Sequence, residues 1–230
     1  MNATRALSLM LAMFFTCAVA PARAADAPGH FHPKGKQPST FTLELRNGLK
    51  ATLPFSDKRD FDEAAKGFIA APPYKQIMAD AGHVAWDMES YQWLLSGKDF
   101  PSIHPSLQRQ AVLNMGYGLY EVVPGRVYQV RGFDLANISF IKGDTGWIVF
   151  DPLTAAETAR AALQLINEKL GKRPVVGVVY SHSHVDHWAG VRGVVDEADV
   201  VSGKVMLIAP EGFMEHAIAE NVFAGNVMSR

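Results

Sequence analysis

The segment VVGVVYSHSHVDHWAG (residues 175–190) is the most informative part of this chain for its fold. Four of its first six residues are valine, which predicts a short strand covered on both faces. Four polar side chains then follow within six positions: His182, His184, Asp186 and His187. Ligands in open α/β sheets bind beyond the carboxyl ends of strands. We therefore predict a functional site directly after this strand.

The four side chains have the chemistry of a metal site. His182 and His184 are two apart in an extended segment, so both side chains project the same way and can reach one ion at about 2.0–2.1 Å. Asp186 and His187 follow where the chain turns, and a second ion about 3.5–4 Å away would suit two-metal hydrolysis. Nitrogen and oxygen ligands favour zinc, with iron or manganese as alternatives.

The segments around this motif predict an α/β domain, because strand-like and helical runs alternate from residue 121 onward. One strand-like run ends at Phe150, and another covers residues 205–210. The run 154–171 between them predicts a helix that begins with a capping box from Thr154 to Glu157 and ends at Gly171. Gly143 to Gly146 predicts a tight turn between two strands.

The N-terminus has the pattern of an export signal. Residues 1–24 carry a positive start, an apolar run and a small-x-small end, which predicts a cleaved signal peptide and a periplasmic or secreted protein. The apolar run is too short for a stable membrane span. Cleavage would remove the only cysteine, Cys17, so any metal must be held by histidines and carboxylates. Residues 25–40 predict a flexible leader, whose His30 and His32 we interpret as solvated.

Residues 41–120 predict a mostly helical extension before the domain. Helical patterns cover four segments: 60–70, 74–82, 84–95 and 105–116. The dipeptide Asn47-Gly48 predicts a hairpin within 41–55. We interpret His83 and His104 as structural. The net charge of −1 gives no broad basic field, which argues against nucleic-acid binding.

The segment SHSHVDHWAG resembles the zinc motif of the metallo-β-lactamase fold. Its surroundings resemble secreted alkylsulfatases of that fold through the following stretches: residues 127–154, 180–200 and 210–230, with GFIAAPPYKQI and VAWDMESYQWL in the extension. The resemblance implies an αββα sandwich, of which residues 121–230 would be the N-terminal half, truncated. It implies a homodimer for the full-length protein.

The resemblance also implies roles for the four side chains. His182 and His184 would hold the first zinc, and Asp186 and His187 the second, so a complete site would contain two ions. A bridging hydroxide, which Asp186 would help to orient, would attack the sulfate ester of an alkyl chain. Zinc lowers the pKa of bound water to about 7, which makes hydroxide available at neutral pH.

The resembled proteins are longer and place two acidic ligands and another histidine further downstream. Four residues here could replace them, since they form i, i+4 pairs on one predicted helix: Glu211, Glu215, His216 and Glu220. The resemblance instead implies an ordinary helix. Three functions therefore remain open: a zinc-dependent alkylsulfatase, another hydrolase of this fold such as a lactonase or β-lactamase, or an inactive truncated fragment that at most binds zinc.

Overall fold

The computed structural model describes residues 37–225. The predicted signal peptide, with Cys17, and most of the leader, with His30 and His32, lie outside the described residues. The helices are α1 (Thr40–Thr52), α2 (Arg59–Ala65), α3 (Pro105–Leu113), α4 (Ala156–Leu170), α5 (Glu197–Val201) and α6 (Phe213–Ala219). The strands are β1 (Phe68–Ala70), β2 (Gln76–Met78), β3 (Val84–Asp87), β4 (Gly118–Val123), β5 (Val127–Arg131), β6 (Ile138–Lys142), β7 (Trp147–Phe150), β8 (Val175–Val179) and β9 (Met206–Ile208).

One mixed sheet organises the molecule. Its strand order is β1-β4-β5-β6-β7-β8-β9, antiparallel from β1 to β7 and parallel from β7 to β9. Strands β2 and β3 form a separate hairpin. The sheet crosses residue 120, where the sequence placed the domain boundary, because β1 and β4 pair with each other at its edge. The three parallel strands end at one edge, and this edge carries the site.

Helix α4 connects the parallel strands β7 and β8 and covers one face of the sheet. Its buried residues recur with helical spacing and include Ala159, Ala162 and Ile166. The helix and its end at Gly171 confirm the prediction from the sequence. The predicted capping box is wrong, because Thr154 bonds to Asp134 and Glu157 accepts from the backbone N–H of Asp80. Both side chains therefore bond to residues that are distant in sequence and not to each end of the helix cap.

The core lies between this helix and the sheet. Trp147 is fully buried, and its ring meets those of Tyr128 and Phe140 edge to face at 5.9 and 6.1 Å between centroids. Its indole Nε1 donates to Asn167 Oδ1 at 2.9 Å, so the polar atom of this buried ring is satisfied. The turn from Gly143 to Gly146 forms as predicted.

The extension differs from its prediction in three segments. Residues 41–55 form helix α1 and no hairpin, because Ser39 caps the helix by accepting from the Thr42 N–H. Residues 74–82 lead into the β2–β3 hairpin, which turns at Gly82 with φ 89°. Within 84–95 the chain forms β3 and then a 3-10 turn. Cross-strand pairing, a non-local contact, overrode the helical pattern in the last two segments.

Two other helical predictions fare better. Residues 105–116 hold α3 as predicted, and residues 60–70 hold α2 followed by strand β1. Among the residues that the structure describes, no helix is both long enough and apolar enough to span a bilayer. The α/β architecture expected from the sequence is confirmed.

Candidate metal centre

The predicted site residues lie at the carboxyl edge of the parallel strands. After β8 the chain continues through Ser181 into the histidine segment, which closes with a 3-10 turn, Val185–His187. The ring centroids of His182 and His184 are 4.6 Å apart, and those of His182 and His187 are 4.1 Å apart. Asp186 Oδ2 lies 3.5 Å from His187 Nε2. The structure therefore brings all four predicted residues into one cluster.

Asp151 is a site residue that the sequence analysis missed. It follows β7, and because Phe150 is paired with Val179 of the parallel strand β8, it lies beside Ser181. Its Oδ1 accepts from the Ser181 N–H at 2.8 Å. Its Oδ2 accepts from Ser181 Oγ at 2.7 Å and contacts His187 Nδ1 at 2.9 Å. An aspartate directly after a neighbouring parallel strand was the signal that could have found it.

The backbone at Asp151 is in an uncommon conformation. Asp151 has φ 54° and Leu153 has φ 63°, both in the left-handed region that non-glycine residues rarely adopt. Such positions persist only when the surroundings hold them, and they cluster at functional sites. Here the holding contacts are the Asp151 N–H to Val179 O and the Gly190 N–H to Leu153 O, at 3.0 and 2.8 Å.

Gly190 fixes the histidine segment against this loop. It is buried, and a Cβ at this position would lie 2.2 Å from Pro152 O and 2.6 Å from Ala155 O. Both of these atoms belong to the backbone and cannot move aside as a side chain could. Trp188 Nε1 donates to Ser183 O at 2.9 Å, a hydrogen bond that joins the two ends of the histidine segment. The absence of a side chain at residue 190 therefore allows the two loops to meet.

The hydrogen bonds around Asp151 set the protons of two histidines. A serine hydroxyl has one hydrogen. Ser181 Oγ directs that hydrogen at Asp151, so it accepts from His182 Nδ1, 2.9 Å away. His187 Nδ1 donates to Asp151 directly. In the neutral imidazoles this leaves the lone pairs on Nε2 of His182 and Nε2 of His187, which suits metal ligation.

The nitrogen and oxygen atoms of the four residues suit a metal ion chemically, but the imidazole rings lie closer together than they would around a bound ion. Imidazoles that share a tetrahedral ion at about 2.1 Å would have centroids about 5 Å apart. The rings of His182 and His184, which would share an ion, are 4.6 Å apart, and the ring of His187, which would hold the other ion, is only 4.1 Å from that of His182. Within residues 37–225, no group of three or more His, Cys, Asp or Glu side chains is placed so that it could hold a metal ion. Ligation by the four residues stays a prediction.

Tyr180 lies directly before the histidine segment in the chain. It is buried at the end of β8, and this burial raises the pKa of its hydroxyl to about 12. The group therefore keeps its proton at neutral pH and is unsuited to act as a base there. Its ring packs against that of Phe213 at 5.3 Å between centroids. This contact joins the start of α6 to the histidine segment.

The other candidates separate into two groups. Glu220 reaches the site, with Oε1 3.1 Å from His184 Nε2. Glu211, Glu215 and His216 are exposed. His104 caps α3, because its Nδ1 accepts from the Ser106 N–H at 3.2 Å. The exposed residue His83 lies in the turn before β3, where its carbonyl accepts from the Ala79 N–H.

Comparison with known proteins finds a family match and several similar alkylsulfatases. Residues 131–227 match the family described as the metallo-beta-lactamase superfamily. An (R)-specific secondary-alkylsulfatase from Pseudomonas sp. is 49% identical over 195 residues, which cover 85% of this chain and 29% of that protein. A linear primary-alkylsulfatase from Pseudomonas sp. is 50% identical over 196 residues, which cover 84% of this chain and 29% of that protein.

A solved structure agrees with these relatives. The stereoselective inverting sec-alkylsulfatase Pisa1 from Pseudomonas sp. superposes with a TM-score of 0.77 at 49% identity, covering 84% of this chain and 30% of that one. The chain thus spans about three tenths of the length of the relatives it matches. The resemblance drawn from the sequence and the expected fold are both confirmed.

Proposed function

We propose that the protein hydrolyses alkyl sulfate esters, because residues 131–227 match the metallo-β-lactamase superfamily and most of the chain is similar to alkylsulfatases. Water adds to the ester and the products are an alcohol and hydrogen sulfate. The observation that carries this proposal is that the identity with alkylsulfatases runs over 195 residues, well beyond the 131–227 superfamily match. The likeness therefore includes the extension as well as the histidine segment.

We propose zinc as the cofactor, with two ions in a complete site. His182 and His184 would hold one ion, and Asp186 and His187 the other. When bound, zinc supplies an acidified water with a pKa of about 7. The lone pairs that Asp151 leaves on two histidines support this assignment.

The chain's own residues would act as follows. Asp186 is the proposed catalytic residue, because its partly buried carboxylate lies 3.5 Å from His187 Nε2 and can accept a hydrogen bond from the attacking water. Asp151 is a positioning residue that holds the His187 ring. The buried Gly190 and the Trp188 indole keep the loop closed. Asp186, in the loop that these residues hold in place, would orient the attacking water toward the ester.

The activity is tested with dodecyl sulfate and a secondary alkyl sulfate as substrates, with sulfate release as the measurement. We expect release from at least one ester, and loss of that release in a H182A/H184A double variant. A lactone and a β-lactam serve as competing substrates. Their ring opening without any sulfate release would overturn the proposal in favour of another hydrolase of the same superfamily.

Zinc dependence is tested separately by elemental mass spectrometry of the purified protein. We expect co-purified zinc, loss of sulfate release after chelation and recovery on adding zinc back. Sulfate release that persists in a chelated, zinc-free sample would contradict the assignment. Because the spacing of the rings is tighter than a loaded centre, we also expect zinc to move the imidazoles of His182 and His187 apart, which NMR shifts of both rings would report.

We further propose that the protein is exported to the periplasm or secreted, and that the whole protein is a homodimer. The apolar pattern of residues 1–24 supports export. N-terminal sequencing of the exported protein should begin at Ala25. Light scattering of the whole protein should give twice the chain mass. An uncleaved cell-bound chain, or a monomer, would contradict the respective proposal.

A further inference from the structure

Glu220, directly after helix α6, contacts His184, the histidine of the cluster that Asp151 does not orient. Glu220 Oε1 lies 3.1 Å from His184 Nε2. The Glu220 side chain is 28% exposed and that of His184 is 59% exposed, so Glu220 is the more sheltered partner. The contact connects the edge of the sheet to the end of the helix that follows β9.

The position of Glu220 follows from how α6 is anchored. The Phe213 ring packs against Tyr180 at 5.3 Å and Trp188 at 6.0 Å between centroids, on either side of the histidine segment. Ala217 is buried four residues later. Glu220 comes three residues after Ala217, so all three share one helix face. The face that anchors the helix therefore also carries Glu220 to His184.

The helix changes its winding at Glu220. Residues Glu220–Ala224 form a π-helical turn, and the Gly225 N–H donates to Glu220 O five residues earlier. Single π turns within helices are rare and occur frequently at functional sites. The Asn221 side chain stabilises the junction by donating to Ala217 O at 2.7 Å. A local change in winding begins at the residue that touches the site.

We propose that Glu220 is a positioning residue that accepts the Nε2 proton of His184 and so leaves the lone pair on Nδ1 for a metal ion. The same relation holds for His182 and His187, whose Nδ1 atoms are engaged by Ser181 and Asp151. Metal-bound histidines usually donate their other nitrogen to a carboxylate, carbonyl or water, which fixes the tautomer and the ring orientation. The proposal rests on the metal-dependent site proposed above.

The primary test measures the tautomer of His184 in metal-free protein at one fixed pH, by nitrogen-15 NMR of the imidazole rings. The unsubstituted protein should show His184 protonated on Nε2. In E220A, which removes the carboxylate and keeps a good helix former, the two tautomers should mix. E215A is the matched control, because Glu215 lies on the same helix, is exposed and carries the same charge. It should leave the tautomer unchanged.

The second measurement is zinc affinity, obtained by competition with a chromophoric chelator. E220A should bind zinc about 10-fold more weakly, the low end of the usual range for an outer partner, since this contact is half exposed. E220Q, which keeps an oxygen acceptor, should fall between E220A and the unsubstituted protein. It also serves if E220A proves unstable. A tautomer and an affinity that are the same in E220A and E215A would overturn the proposal.

The two proposals can fail separately. If the tautomer and affinity differ between E220A and E215A while no sulfate is released from any ester, the proposed activity fails and the role of Glu220 stands. If sulfate is released and E220A behaves as E215A does, the activity stands and the role of Glu220 is excluded.

Discussion

The sheet with α4 and the N-terminal extension are stabilised by different kinds of contact. In the sheet, Trp147, Phe140 and Val149 are fully buried. In helix α1, Phe41 and Leu45 are 74% and 56% exposed, and the buried residue is Arg46, whose guanidinium bonds to Asp99 and to Ile103 O. Apolar burial stabilises the first region, and charged hydrogen bonds fasten the second. The difference predicts how each region responds to substitution.

The site belongs to the first region. The parallel strands β7, β8 and β9 lead to Asp151, to the histidine segment and to Glu220, each shortly after its strand or one helix later. Because β7 and β8 are held by buried side chains, small displacements of these two strands should be costly. Changes in the extension should cost less and should depend more on pH and salt.

The largest effect is expected for G190A. The added Cβ would overlap the backbone oxygens of Pro152 and Ala155, so the histidine loop must shift. We expect the free energy of unfolding to fall by about 3 kcal/mol, measured by urea denaturation. G48A in α1 is the matched control, because a Cβ there meets nothing within 4 Å. It should be neutral or stabilise by about 0.5–1 kcal/mol. If urea denaturation gave both variants the same free energy of unfolding, the contrast between the two regions would be wrong.

D151N should have the next largest effect, on metal binding. The amide that replaces Oδ2 can no longer accept from His187 Nδ1, so the proton of that imidazole would shift toward Nε2. We expect zinc affinity to fall by about 100-fold, the upper end for an outer partner, because Asp151 orients two histidines and is only 16% exposed. Chelator competition measures this. If D151N weakened zinc affinity no more than E220A does, the buried contact of Asp151 would be no more important than the more exposed contact of Glu220.

N167A tests the core without touching the site. Asn167 Oδ1 accepts from the buried indole of Trp147 and from the Arg173 N–H. Removing it leaves buried donors unpaired, and we expect a loss of about 2 kcal/mol in the free energy of unfolding. Zinc affinity should not change. A weakened zinc affinity in this variant would show that the core and the edge of the sheet are coupled.

D99N should have the smallest effect, and it should depend on pH. Hydrogen bonds from Arg46 and Lys50 hold the pKa of the Asp99 carboxyl well below its usual range. A depressed pKa contributes stability above the unfolded-state value of about 3.9, and this stability is lost as the pH falls through the folded-state pKa. Since Asp99 is 53% exposed, we expect D99N to cost at most about 1 kcal/mol at pH 7.

The measurement for D99N is a series of thermal melts between neutral and acidic pH. The difference between D99N and the unsubstituted protein should shrink as the pH falls below 4. A difference that does not vary with pH would show that the interaction acts through packing of Arg46, and not through the charge of Asp99.

The strands near the site were predictable, whereas three segments of the extension were not: 41–55, 74–82 and 84–95. Runs such as 147–150 and 175–180 carry enough valine, isoleucine and aromatic side chains to predict buried strands. Segments 74–82 and 84–95 have helical patterns but form a hairpin, because short strands gain their stability from pairing with a partner that local pattern does not reveal. The hairpin predicted for 41–55 was wrong since Asn47-Gly48 lies inside a helix capped by Ser39.

Local sequence was enough to predict the strand before the histidines, the clustering of His182, His184, Asp186 and His187, and the helix that ends at Gly171. These features depend on residues within one turn or strand of each other, where spacing fixes direction. Only the folded chain shows that Asp151 contacts His187 Nδ1 and that Glu220 contacts His184 Nε2. Both come from other strands or helices, and only the parallel order of β7, β8 and β9 brings them to the same edge.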